Sequence, residues 1–176
     1  MYIITIIMKK ILSTFIFIIF CFVLTAQNYL NIKPGKFLLK NDLQIDRSNQ
    51  VNYLFIYFDE ILTVNEKLQL ESEGVNFLEY IPDNTYVVST PKDIDLEILR
   101  DYNASGFLYV NSDHKIDPKI EDNSYPDWSI NNNQLSVKIL LYNDVDISSL
   151  KSKLSSICID VINVNLFSSS VTAVID

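Results

Sequence analysis

The chain has 176 residues and a formal net charge of −8, which fits one domain or two small ones. Hydrophobic residues make up 48% of it, a share raised by an almost wholly apolar stretch at residues 1–26. That stretch holds two lysines and no acidic residue, so the remainder goes from −8 to −10, a charge that repels nucleic acid and anionic membranes.

Residues 1–26 have the layout of a secretory signal peptide, in which Lys9 and Lys10 precede a long apolar run. We predict export with cleavage close to Ala26, and Met8 is an alternative start. An uncleaved membrane anchor is the competing interpretation. It is disfavoured because the apolar run is barely long enough to span a bilayer and no basic cluster follows it. The prediction is therefore a secreted protein that has no membrane contact after cleavage.

The chain has two cysteines, Cys21 and Cys158. Lipid modification of Cys21 is disfavoured because Phe20 stands where a small residue is expected. After cleavage Cys158 is alone, so no internal disulfide can form and the core must hold the exported chain together. We expect Cys158, which lies between two isoleucines, to be a small buried apolar residue.

A strand–helix–strand–strand pattern occurs twice. The predicted strands are 52–58, 75–81 and 85–89 in the first copy, and 136–142, 159–166 and 170–175 in the second. The first and third strands are about 35 residues apart in both copies, which is typical of a repeated supersecondary unit. The first copy continues into a second helix and a fourth strand at 106–110. The second stops at Asp176, so we expect the chain to be the front part of a longer protein.

The first predicted helix has clear ends. Thr63 and Glu66 form a capping box, and Gly74 supplies a left-handed residue after the last turn. Its apolar residues do not share one face cleanly. Residues 82–84, Pro-Asp-Asn, predict a hairpin turn between the next two strands.

The second helix of the first copy is capped by Asp93 or Asp95 and carries Leu96, Leu99 and Tyr102 at helical spacing. In the second copy Asp146 caps a helix. Its apolar stripe consists of Ile147, Leu150, Leu154 and Ile157.

The order strand, helix, strand, strand, helix, strand predicts an α+β fold of the ferredoxin-like, split βαβ kind (βαββαβ). A truncated second copy of similar order follows it. The expected domains are the signal peptide 1–26, a loosely structured lead-in 27–50, the first module 51–116, a linker 117–134 and the incomplete second module 135–176.

The sequence predicts no catalytic, cofactor-binding or metal-binding residues. His114, the one histidine, reads as an exposed loop residue without a nucleophile turn to serve. One histidine and the distant Cys158 are too few for a zinc site, and no glycine-rich phosphate loop is visible. The aromatic residues fall mostly on predicted strands and read as core, and Trp128 in the linker is the candidate for an exposed aromatic.

Three segments carry a resemblance to a known family. They are the strand Tyr53-Leu54-Phe55-Ile56-Tyr57-Phe58, the helix end Leu70-Glu71-Ser72-Glu73-Gly74-Val75, and the hairpin Leu78-Glu79-Tyr80-Ile81-Pro82-Asp83-Asn84-Thr85-Tyr86-Val87-Val88. With its Leu-x-x-x-Gly-Val and Tyr-x-Pro-x-Asn-x-Tyr patterns, the first copy resembles the propeptide of secreted subtilisin-like serine proteases. The resemblance implies a ferredoxin-like intramolecular chaperone that inhibits the protease until it is cleaved. The open antiparallel sheet of such a module is expected to offer a face and edge strands for docking on its partner.

The chain departs from that family because it carries neither the inhibitory tail nor the catalytic domain. Val174-Ile175-Asp176 is similar to the start of the subtilase aspartate motif, but the repeat spacing favours a third strand there. The resemblance makes a subtilisin-like catalytic domain, in cis, the expected partner. An extracellular adhesion or ligand-binding protein with tandem α+β modules is one alternative, and a free-standing protease inhibitor is another.

Overall fold

A computed structural model describes residues 28–157 and 159–175. The predictions made for residues 1–26, Cys158 and Asp176 lie outside the described residues. In chain order the described helices and strands are β1 (Tyr29–Ile32), β2 (Gly35–Leu38), β3 (Val51–Phe58), α1 (Val64–Ser72), β4 (Asn76–Ile81), β5 (Thr85–Pro91), α2 (Leu96–Arg100), β6 (Ala104–Tyr109), α3 (Pro118–Glu121), β7 (Ile130–Asn131), β8 (Gln134–Leu140), α4 (Ile147–Ser156), β9 (Asp160–Asn165) and β10 (Ser170–Ile175).

The protein is α+β, with small helices on antiparallel sheets. The first four-stranded sheet has the order β4-β5-β3-β6. Helices α1 and α2 cover one of its faces, which we call the helix face. The core between them consists of Leu54, Ile56, Phe58, Leu62, Leu70, Val75, Tyr86, Val88, Ile94, Leu96, Leu99, Ala104 and Phe107.

Local signals place the ends of these elements as predicted. The Thr63 hydroxyl accepts from the Glu66 amide, and the Glu66 carboxylate accepts from the Thr63 amide, which is the predicted capping box. Gly74 follows the helix with a φ of 91°. In the β4–β5 turn, Asp83 and Asn84 both have positive φ, as expected for residues that tolerate the left-handed region.

The segment expected to be a loosely structured lead-in is ordered, and that prediction is wrong. β1 and β2 form an antiparallel hairpin whose strands pair with each other. The hairpin packs on the second face of the first sheet, which we call the hairpin face. There Leu30 and Leu39 are buried with Phe55 and Val87.

The second sheet has the order β7-β8-β10-β9, and α4 covers one face of it. Leu154 of the helix packs there with Val171 and Ala173. The short strand β7, at the end of the expected linker, lies beside β8. It takes the position that β6 takes beside β3 in the first sheet.

Both sheets have a β-bulge at the same position in an edge strand. The extra residue is Leu78 in β4 and Ile162 in β9, and each is the third residue of a six-residue strand. Directly after the bulge the partners on the neighbouring strands are Val87 and Thr172. These two positions therefore correspond, and the spacing repeat seen in the sequence is also a repeat of strand register.

Candidate docking surface

His114 does not lie in an exposed loop, so that prediction is wrong. It is 8% exposed, in a 3-10 turn, Ser112–His114, on the hairpin face. Its ring stands edge-on between Phe37 of β2 and Phe55 of β3, with centroid distances of 4.4 and 5.3 Å. The residue therefore joins the hairpin to the sheet.

Ion pairs in the described part of the chain join Lys33 to Asp117 and Arg100 to Asp42 and Glu97. No group of three or more His, Cys, Asp or Glu residues in the described part of the chain could hold a metal ion. A shallow cleft of about 420 Å³ lies between residues 42–47 and α2. In it Arg100 donates to Asp42 at 3.0 Å and pairs with Glu97, and these hydrogen bonds raise the pKa of Arg100. The guanidinium of Arg100 is thus already bonded to Asp42 and Glu97 of the same chain.

A propeptide-type module was expected to offer an open sheet face, and the hairpin face of the first sheet is closed. Besides the hairpin, Tyr142 from the loop after β8 packs there and stacks on Tyr53, with 5.9 Å between ring centroids. Burial raises the pKa of both phenols, and the carboxylate of Asp144 adds to the shift. With the hairpin in place, this face of the sheet is therefore not accessible for docking.

The strand β4 provides such a surface because, in the part of the chain that the structure describes, it pairs with β5 alone. Its outer backbone groups are open to a further strand. The bulge at Leu78 leaves Glu79–Ile81 as the regular part of this edge. Tyr80 lies in this part and is 48% exposed.

Helix α1 extends this edge with apolar side chains. Leu70 is buried beneath the helix, whereas Val64 and Leu68 point outward and are 74% and 57% exposed. Val64 and Leu68 are four residues apart and share one face of the helix. The uneven apolar pattern of α1 in the sequence thus reflects a helix with apolar residues on two sides.

Contacts across the helix face hold this region together. The ammonium of Lys67 lies 4.5 Å from the centroid of the Tyr86 ring, and Tyr80 packs edge-on against the same ring at 5.1 Å. Hydrogen bonds from Thr63 lower the pKa of Glu66, so the cap that starts the helix is ionised at neutral pH. We call the open edge of β4, with Tyr80, Val64 and Leu68, the β4 edge surface.

A second apolar surface lies at one end of the second sheet. Leu166 and Phe167 form the tip of the β9–β10 turn and are 72% and 102% exposed, beside Leu140 at 73%. Sequence reasoning missed this tip because it placed Leu166 at the end of the predicted strand 159–166. Trp128, expected to be exposed, is 85% exposed.

The described residues form an α+β protein with two antiparallel four-stranded sheets, an open strand edge and exposed apolar side chains. More particularly, it belongs to the family described as Domain of unknown function (DUF8729), whose model matches residues 24–111, half of the chain. The matched range includes the β1–β2 hairpin together with the whole first sheet. No curated protein and no solved structure matches the chain.

None of the helices in residues 28–157 and 159–175 combines the length and the apolarity needed to cross a bilayer.

Proposed function

We propose that the chain is an exported binding protein, and that residues 51–116 are a ferredoxin-like module of the propeptide type. It would act as intramolecular chaperone and inhibitor of a subtilisin-like serine endopeptidase whose catalytic domain lies downstream. The chain itself would then carry out no catalysis.

The observation that carries the proposal is the strand arrangement. The elements follow the order strand, helix, strand, strand, helix, strand, and the sheet order β4-β5-β3-β6 places the third strand between the first and the second. Two local features also support the proposal. Gly74 ends the helix, and the turn between Tyr80 and Tyr86 joins two paired strands.

Physical reasoning supports a chaperone role. A protease with many contacts between distant parts of its chain folds slowly, because loop-closure entropy is lost before those contacts form. A folded sheet that binds the half-formed protease lowers this barrier. The β4 edge surface suits such binding, because an edge strand offers backbone hydrogen bonds and Tyr80, Val64 and Leu68 offer apolar contact.

The adhesion alternative is favoured by one observation, the exposed tip of the second sheet. Leu166 and Phe167 extend into solvent at a turn that no described residue covers. An adhesion protein would use this kind of tip to contact a ligand, without a protease downstream.

The first test is to read the gene beyond Asp176. A subtilisin-like catalytic domain there, with its Asp, His and Ser motifs, is the expected result. Further α+β repeats without a protease would contradict the proposal and favour adhesion.

The second test uses that catalytic domain, denatured and then refolded with and without the present chain in trans. We expect the chain to raise the recovered protease activity and to slow the mature enzyme. Leu68→Lys on the β4 edge surface should weaken both effects, whereas Leu140→Lys on the second sheet is the matched control. No gain in recovery together with no inhibition would overturn the proposal.

A further inference from the structure

The β1–β2 hairpin is attached to the first sheet differently from the strands within that sheet. β1 and β2 pair with each other and not with the four-stranded ladder. A two-stranded hairpin is marginally stable by itself, so its stability comes from what it packs on. Here that is the side-chain layer of Leu30, Leu39, Phe55 and Val87.

Few backbone bonds hold the hairpin in place. Residue Lys40, just after it, exchanges two hydrogen bonds with Phe107 of β6, at 2.8 and 2.9 Å. At the other end the side chain of Asn28 donates to Ser105 at 3.3 Å. An element fixed mainly by side chains opens at lower free energy than a central strand.

His114 is the central part of this attachment. It is the only histidine in the chain, and its ring fills the space between Phe37 on the hairpin and Phe55 on the sheet. Its Nδ1 accepts a hydrogen bond from the amide of Asn111 at 3.1 Å. A nitrogen that accepts carries no proton, so the closed arrangement requires neutral imidazole.

The charged groups near the His114 ring do not stabilise its protonated form enough to offset burial. In its own turn Asp113 and Lys115 act in opposite directions, and burial lowers the pKa of His114 more than either of them shifts it. The two lysines of the hairpin are engaged with other partners, since Lys36 lies over the Tyr29 ring and Lys33 pairs with Asp117.

On the sheet side, Glu79 of β4 shares the hairpin face with its strand partner Val87, and its carboxylate acts on the Tyr142 phenol, whereas Asp113 and Lys115 are the charges that act on His114. β3 presents Phe55 there, with the phenols of Tyr53 and Tyr57 nearby on the same face. The two flanking phenylalanine rings can attract a cation. A protonated His114, however, would lose the hydrogen bond from the Asn111 amide, because its Nδ1–H would then face that N–H.

We propose that the β1–β2 hairpin is a pH-sensitive cover, which loosens when His114 gains a proton and then exposes Phe55 and Val87 on the first sheet. The sign follows from proton linkage. The closed state has the lower histidine pKa, so protons bind preferentially to the open state. Opening is independent of pH above the ordinary value of about 6.5 and increases up to about tenfold per pH unit below it, until the closed state also titrates.

The test is amide hydrogen exchange on the chain at pH 7.5, 6.5 and 5.5, corrected for intrinsic exchange rates. We expect amides of residues 29–38 to exchange up to about ten times faster at pH 5.5 than at 7.5, with amides of the β3–β5 ladder unchanged. In His114→Gln, whose amide oxygen can still accept from Asn111 but cannot titrate, this dependence should vanish. Hairpin exchange independent of pH in the natural chain, or the same dependence in His114→Gln, overturns the proposal.

A second measurement does not depend on the folding of any variant. Because the chain has one histidine, its imidazole proton resonance can be titrated by NMR in the natural protein. The expected midpoint lies below 6.5, and a midpoint at or above 6.5 overturns the proposal.

Discussion

The two sheets share strand order and bulge position but differ in how many faces they bury. The first is covered by helices on one face and by the hairpin on the other. The second is covered by α4 on one face, and on the other Lys138 and Leu140 are exposed. The same arrangement of strands therefore supports a sheet buried on both faces in one place and on one face in another.

Strand composition explains this difference. Val87 of β5 and Thr172 of β10 correspond because each pairs with the residue directly after the bulge. Their partners on the next strand are Phe55 of β3 and Lys138 of β8, so these two positions also correspond. β3 is apolar at nearly every position, as is typical of a strand buried on both sides, whereas β8 alternates. The near-continuous apolar run of β3 is thus a signal that something covers its second face.

The largest effect should come from removing that cover. We compare residues 28–116 with residues 51–116, which lack the hairpin. The shorter fragment loses the burial of Leu30 and Leu39 at about 1.5–3 kcal/mol each, so its free energy of unfolding should fall by about 3–6 kcal/mol. Urea denaturation of both fragments measures this. Equal midpoints would show that the hairpin contributes little and that the first sheet resembles the second.

The next prediction compares corresponding positions. Phe55→Ala should lower the free energy of unfolding by about 3–5 kcal/mol, because Phe55 is 3% exposed beneath the hairpin. Lys138→Ala should change it by less than about 0.5 kcal/mol, because its side chain lies on the open face. Thermal and urea unfolding of the full chain give both values. A large effect of Lys138→Ala would mean that the second sheet has a cover on that face too.

What the sequence could predict depends on how local each signal is. The capping box at Thr63, the helix end at Gly74 and the turn at residues 82–84 involve residues close together in the chain, and all three are confirmed. The hairpin and the buried position of His114 were missed. Their partner Phe55 is far from both in sequence, and only the fold brings the three together.

The candidate docking surface was foreseen in part. The sequence predicted a sheet with edges and a face for docking. The face is closed, and the open edge is at β4. The outward position of Val64 and Leu68 could not be derived from a short helix whose apolar residues point to two sides.

A smaller effect is expected at Gly74, which follows the C-terminal end of α1. Gly74→Val places a β-branched residue at a φ of 91°, and its Cβ would lie 3.3 Å from Cγ of Pro91. The free energy of unfolding should fall by about 1 kcal/mol or more. Gly74→Asn is the control, because asparagine tolerates the left-handed region, and it should cost less. If both cost the same, the left-handed backbone is not the reason for glycine at this position.

The smallest effect should be at the tip of the second sheet. In the first sheet the corresponding turn is polar, and Asn84 donates to the carbonyl of Asp59, whereas here Phe167 extends into solvent. Since nothing in the described chain packs on its ring, Phe167→Ser should change the free energy of unfolding by less than about 0.5 kcal/mol.

The turn that holds Phe167 is itself well bonded, and this provides the matched control. Oδ1 of Asn165 accepts from the amides of Phe167 and Ser168 at 3.0 and 3.1 Å. Asn165→Ala should therefore cost about 1 kcal/mol, since it removes the acceptor that shapes the turn. The pair of variants separates a turn built for stability from a side chain displayed for contact. If Phe167→Ser destabilised the chain as much as Asn165→Ala, the ring would be packed against another part of the protein, and the contrast between the two sheets would fail at this end.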